Sequence, residues 1–175
     1  MVQTKIRNDH TPLYRRISES LNLALCEDPF YRSLEGDFTK SVFGPKEGML
    51  RYYEYSMLEA ERSRKLFFPG EESFGASVWK TPLDEERAQE VWDAKKSFLR
   101  TTLGVQGTQK YVQVTDTMSE NAALVIKPGS WYLSILGVAP DRQGGGLGTA
   151  LLVPVLEQID QLGAAVYLET FNSRN

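Results

Sequence analysis

The chain of 175 residues contains one cysteine, Cys26, and one histidine, His10. A single thiol closes no internal disulfide, and one thiol with one imidazole falls short of a typical zinc ligand set. Metal chemistry is not expected. No stretch reaches the roughly 18 consecutive apolar residues of a membrane-spanning helix, and the opening "MVQTKIRNDHTPLYRR" has no apolar core of a secretion signal. These absences read as a soluble cytoplasmic protein with no membrane partner. Neither sign of charge is in large excess: 20 Lys and Arg stand against 23 Asp and Glu, a formal net charge of -3. No basic stripe follows a nucleic-acid backbone, so nucleic acid is not an expected partner. A mildly acidic surface weakly favours a cationic small molecule such as an amine.

What the chain does have suffices for a core. With 41% hydrophobic and 25% charged residues, no internal repeat and no low-complexity segment, it reads as a single domain over residues 1–175. "TKIR" is a short candidate strand. Thr11 and Pro12 then supply a cap and first-turn proline for a helix carrying Leu13, Ile17, Leu21 and Leu25 on one face, ending near Asp28 and Pro29. Leu50, Tyr53, Met57 and Ala60 mark a second amphipathic helix from Lys46 to about Lys65. The stretch "KLFFPGEESFGASVWKTP" reads as two strands, about 65–68 and 73–80, across a Pro-Gly turn. Thr81, Pro82 and the acidic "DEE" announce a third helix, with Ala88, Val91, Trp92, Phe98 and Leu99 following and Gly104 as its stop. Residues 105–128 fit either a strand at "KYVQV" or a helix at "TMSENAALVI". Trp131 to Val138 suits a strand buried on both faces. Leu147, Leu151, Val155, Ile159 and Leu162 mark a last helix, with a kink or a lost hydrogen bond at Pro154 and an end at Gly163. "AVYLET" is one more strand.

Between that buried strand and the last helix lies "LGVAPDRQGGGLGTALL", with four glycines after the strand's own. A strand, a glycine turn and a helix N-terminus make a ready anion site, because the first helical N–H groups lack partners and glycines let a pyrophosphate approach. The Walker pattern fails, since Gly148 is followed by Thr149 and Ala150 with no lysine. The dinucleotide pattern G-x-G-x-x-G/A, laid on Gly144 and Gly146, has Thr149 in third place and only Thr170 near the expected acidic ribose ligand.

The remaining pattern is Q/R-x-x-G-x-G/A, and "QGGGLG", Gln143 to Gly148, fits its fixed positions. In this the chain resembles the GNAT N-acetyltransferase superfamily. "WYLSILGVAPDRQGGGLGTALL" is similar to that family's central strand, turn and helix, and "LGAAVYLETFNSRN" to its next strand and following Asn. The likeness covers about Trp131 to Asn175, with the N-terminal half less specific. It implies an α/β (α+β) fold with a mixed, mostly antiparallel sheet flanked by helices, and acetyl-CoA as co-substrate. Main chain at Leu136, Gly137 and Val138 would pair with the pantetheine arm. Amides of Gln143, Gly144, Gly145, Gly146, Leu147 and Gly148, with the Thr149 hydroxyl, would cradle the pyrophosphate, and Asn175 would also contact the cofactor.

The resemblance further implies direct attack of a small-molecule amine on the thioester, with placement, proton removal and oxyanion hydrogen bonding as the enzyme's share. Val138 N–H or a neighbour would hold the oxyanion. Glu169 is the candidate general base, against a plain reading as a solvent-end carboxylate. Tyr132 and Ser134 are candidate water-relay residues, against ordinary packing. Trp79 is read as acceptor-pocket wall or core, and His10 as surface. The family pattern runs on into a helix bearing a Tyr and two more strands, so the fold is expected to be C-terminally truncated, lacking that thiolate-protonating Tyr and leaving an uncovered strand that invites a homodimer. Two alternatives stay open: binding of acyl-CoA without turnover, and an interaction protein whose glycines merely form a loop.

Overall fold

The computed structural model describes residues 12–63, 65–69 and 72–171. The expected strand at 4–7, the Thr11 cap, His10 and Asn175 lie outside them.

Helix α1, Pro12–Leu25, buries Tyr14, Ile17, Ser18 and Leu21 on one face. Burying an aliphatic side chain such as Ile17 or Leu21 contributes roughly 1.5–3 kcal/mol. Asp28 and Pro29 do more than stop a helix. The Asp28 carboxylate accepts the Phe30 N–H at 2.9 Å and caps an unexpected helix α2, Pro29–Phe38, with Pro29 in its first turn. Tyr31, Leu34 and Phe38 carry it into the core. Helix α3, Gly44–Ser63, lies against α1 and α2. Arg15 on α1 reaches across to Glu47, and to the wholly buried Glu54 at 3.4 Å. The Arg15 guanidinium holds the Glu47 carboxyl below its ordinary pKa.

Strands β1, Lys65–Phe67, and β2, Gly75–Lys80, pair antiparallel, as the Pro-Gly turn implies. Helix α4, Glu85–Ala123, begins one residue after Asp84, whose carboxylate accepts the Arg87 N–H at 2.8 Å. Gly104, at φ 72°, ψ -176°, ends the first helical stretch as expected, and a second follows at once across the kink, the two together forming α4. The segment after it is therefore helical, and "KYVQV" forms no strand. Tyr111, in that segment, is buried in the main core.

β3, Trp131–Val138, pairs antiparallel with β2 and parallel with β4, Val166–Leu168, giving a mixed sheet in the order β1-β2-β3-β4. The chain is thus mixed α/β, with helices on both faces of the sheet. Ala76, Val78 and Ile135 join the core formed with α1, α3 and α4, whereas Trp79, Trp131 and Leu133 pack against Val155 and Ile159 of α5, Leu147–Leu162. An added Cβ at Gly137 would lie 2.7 Å from Leu21, so its glycine lets α1 sit close on the sheet. α5 runs through Pro154 without non-helical backbone; the hydrogen bond lost there is on the exposed side. Gly163 caps its end. The far edge of β4 has no partner strand among the described residues, and Val166 and Leu168 are exposed along it. Among the described residues no helix is long and apolar enough to cross a membrane.

β3 departs from the expectation of burial on both faces, because Tyr132, Ser134 and Leu136 are only half-buried. All three border an open cleft, and the pairing with β2 carries a bulge. Val78 pairs with Ile135 but Trp79 pairs with Leu133, so Ser134 is an extra residue in β3. The strand bends there, and the side chains beyond it change face.

Candidate functional site

The glycine turn follows a short 3-10 turn, Pro140–Arg142, and delivers the chain to the start of α5. Gly144 and Gly146 take φ 85° and 77°, values that exclude most side chains. Gly145 and Gly148 have no such excuse. Their φ angles are not positive, and a Cβ at either would meet nothing within 4 Å. Among the described residues, neither backbone strain nor protein packing explains glycine at these two positions. The first rung of α5 runs from Ala150 N–H to Gly146 O at 3.0 Å, so the amides of Leu147, Gly148 and Thr149 precede the ladder. No side chain caps this end, and Gln143 through Gly146 and Thr149 are exposed. Open amides, bare backbone and the positive end of a helix dipole together suit an anion.

The turn is tied to β3 by Gln143, whose side-chain amide donates to Val138 O at 2.9 Å. Along β3 the pairing geometry decides which main-chain groups are open. Ala139 N–H donates to Phe74 O at 2.7 Å, which makes Gly75 opposite Val138, and Ser77 opposite Leu136, the non-bonded pairs of the antiparallel ladder. At such pairs N–H and C=O point away from the partner strand. Those of Leu136 and Val138 therefore face the β4 side, where pairing stops at Leu133 with Leu168. Beyond that point the two strands are no longer paired, and among the described residues no main-chain partner fills the gap on that side of β3. One correction follows: the Val138 carbonyl is taken by Gln143, so what Val138 offers to the gap is its N–H.

A cleft of about 440 Å³ opens beside this gap, and Leu136, Ser134, Tyr132 and Glu169 all border it. Glu169 sits one residue past the end of β4, half-buried, and not on the strand itself. Tyr132 and Tyr167 are opposite each other in the β3–β4 register and stack at 4.8 Å. Burial raises the Tyr132 hydroxyl pKa, and the Glu169 charge and its hydrogen bond to that carboxylate raise it further. Tyr132 is thus a protonated donor at neutral pH. Lys80 Nζ lies 5.5 Å from the Tyr132 ring centre. Trp79 is core: it is 1% exposed, and its ring N–H donates to Ser77 Oγ at 2.9 Å, while Ser77 donates to Leu151 O at 2.8 Å.

The sequence-predicted residues fall into two neighbouring groups. Gln143, Gly144, Gly145, Gly146, Leu147, Gly148 and Thr149 form the turn, and Glu169, Tyr132, Ser134 and Leu136 border the cleft, with Gly137 facing α1 in between. Tyr52, Lys80, Tyr111 and Tyr167 also line the cleft and were not anticipated. Tyr52 and Tyr111 come from separate helices, and their hydroxyls lie 3.2 Å apart. Lys80 carried a signal: strict alternation in "GASVWK" puts it on the face opposite Trp79. No family model matches the chain.

Proposed function

We propose that this chain is an N-acetyltransferase that moves an acetyl group from acetyl-CoA to the primary amine of a small molecule by direct attack, on a GNAT-like fold. The observation that carries the reading is the pair Gly145 and Gly148, bare of side chains where the protein itself leaves open space. An external group lying against that backbone supplies the missing reason. The amides opening α5 suit its pyrophosphate, and the side of β3 beyond its pairing with β4 suits an extended pantetheine arm that bonds to Leu136 and Val138 like an added strand.

On this reading the thioester carbonyl lies beside the Val138 N–H, which donates to the oxygen as negative charge develops on it. The amine nitrogen attacks the carbonyl carbon, its proton passes to Glu169 directly or through water near Tyr132 and Ser134, and the C–S bond breaks to release the thiolate, which takes up a proton. Nothing becomes covalently attached to the protein. The test is release of free thiol from acetyl-CoA in the presence of a panel of small amines, beside direct binding of CoA. Amine-dependent release supports the reading; binding without release reduces it to acyl-CoA binding; absence of both overturns it.

A further inference from the structure

A second, smaller cavity of about 70 Å³ lies behind the cleft, and Tyr52, Lys80, Tyr111 and Ser134 line both. Its wall includes Lys95, from the N-terminal part of α4, which is 6% exposed. The Lys95 ammonium has three protons to place. Ser56 Oγ, at 3.1 Å, is its one oxygen partner among the described residues, and Ser56 spends its own proton on Tyr52 O at 2.8 Å. The rings of Tyr52 and Tyr55 flank the ammonium at 4.6 and 4.7 Å. No carboxylate of the described residues comes within ion-pair distance of it. Glu59 acts on it from further away, and Lys80 opposes that with a second positive charge.

A buried ammonium without a carboxylate partner is costly, and the cost is relieved when an anion arrives with its own hydrogen-bond acceptors. A carboxylate brings both the negative charge and the two acceptor oxygens that this ammonium lacks. Lys95, with no carboxylate partner among the described residues, selects that sign of charge. We propose that this cavity receives a carboxylate of the acceptor, so that the molecule bound in the cleft is a carboxylate-bearing amine of the amino-acid class. The carboxylate seats on Lys95, the connecting carbons pass beside the hydrogen-bonded Tyr52–Tyr111 pair along Ser134, which lines both cavities, and the amine projects toward Glu169. That the amine is then acetylated rests on the function proposed above; the anion site itself does not.

The test compares two probe series against the whole chain: glycine, β-alanine, γ-aminobutyrate and longer ω-amino carboxylates, and alkylamines of matching length. Binding is measured by calorimetry without acetyl-CoA, and turnover by thiol release with it. The inference predicts that carboxylate probes bind at least tenfold tighter than their alkylamine partners, and that Lys95→Met removes the difference while leaving alkylamine and CoA binding unchanged. Met fills the space of the lysine stem and removes a desolvated charge, so this variant is expected to fold; Ser56→Ala, which removes one hydrogen bond to the ammonium and leaves the charge, should keep most of the preference. Equal binding of the two series, or an undiminished preference in Lys95→Met, overturns the inference. The two proposals fail separately: carboxylate binding that depends on Lys95 without any thiol release keeps the anion site and sinks the transferase, whereas release that ignores the carboxylate does the reverse.

Discussion

The Gln143 side-chain amide holds the carbonyl of Val138 at 2.9 Å, joining the first residue of the glycine turn to the last residue of β3. That bond fixes where the turn sits relative to the strand edge, and it leaves the Val138 N–H as the strand's last open donor. Gln143→Ala should cost about 1 kcal/mol, the usual net worth of one hydrogen bond, seen as a fall in Tm of about 2–4 °C for a chain of this size. CoA affinity should fall with it. A variant equally stable and equally tight in binding would show that the bond positions nothing.

Gly104 and Gly145 make opposite predictions for the same substitution. Gly104 sits at φ 72°, ψ -176°, a region essentially closed to other residues, whereas Gly145 has no positive φ and open space around it. Gly104→Ala should lose about 1–3 kcal/mol through backbone strain, with Gly145→Ala close to neutral in the same urea titration. Loss at both positions would mean that Gly145 has a structural reason, weakening the argument for an outside occupant.

Glu169→Gln keeps size and hydrogen bonding but cannot take a proton. If Glu169 is the general base, kcat should drop by about 10²–10⁴ with CoA affinity unchanged. Activity retained to within a few-fold would pass the role to water near Tyr132 and Ser134.

Lys95 gives a stability signature in alkali. Burial pulls its pKa down to about 8 from 10.5. Between those values the unfolded chain binds more protons than the folded one, so the folded state gains stability as pH rises from about 8 toward 10.5, and loses that gain as pH falls back through about 8. The groups facing it are Glu59, Lys80, Tyr52, Tyr55 and Tyr111. Buried tyrosines, Tyr52 and Tyr111 among them, have raised pKa values and work the other way once free tyrosine ionises near 10. Denaturation of the wild type and Lys95→Met across pH 7–10 separates the two: Lys95→Met should be the more stable at pH 7, and its advantage should shrink by pH 10. A constant difference would place the Lys95 pKa near its ordinary value.

Much of this was legible in the sequence where one local rule decides the outcome. The apolar run Trp131 to Val138, the spacing Leu147, Leu151, Val155 and the punctuation at Gly104 and Gly163 each name an element or an end without help from distant residues. Helix α2 was missed because Asp28 and Pro29 were read only as a stop, although the same pair is a start signal. Residues 105–128 were undecided because "KYVQV" alternates locally, and its helix is settled by Tyr111 packing against α2 and α3, which no window of sequence contains. The turn at Gln143 to Gly148 is contiguous, so it was readable. The cleft is assembled from α1 through β4, so Tyr52, Tyr111 and Tyr167 were not. Lys95 lay in plain view between Val91 and Leu99, at steps of four along an apolar stripe, a place where a lysine is either buried or misread.

Leucine at position 148 puts the account to its most direct trial. Gly148 is in the first turn of α5 with nothing near an added Cβ, and a helical glycine is about 1 kcal/mol worse than alanine, so Gly148→Leu should fold at least as well as the wild type. Calorimetric titration with CoA should then show affinity weakened by a factor on the order of ten or more, at least about 1.4 kcal/mol, because the new side chain occupies the space assigned to the pyrophosphate. Wild-type affinity in a well-folded Gly148→Leu would mean that no phosphate lies against this backbone.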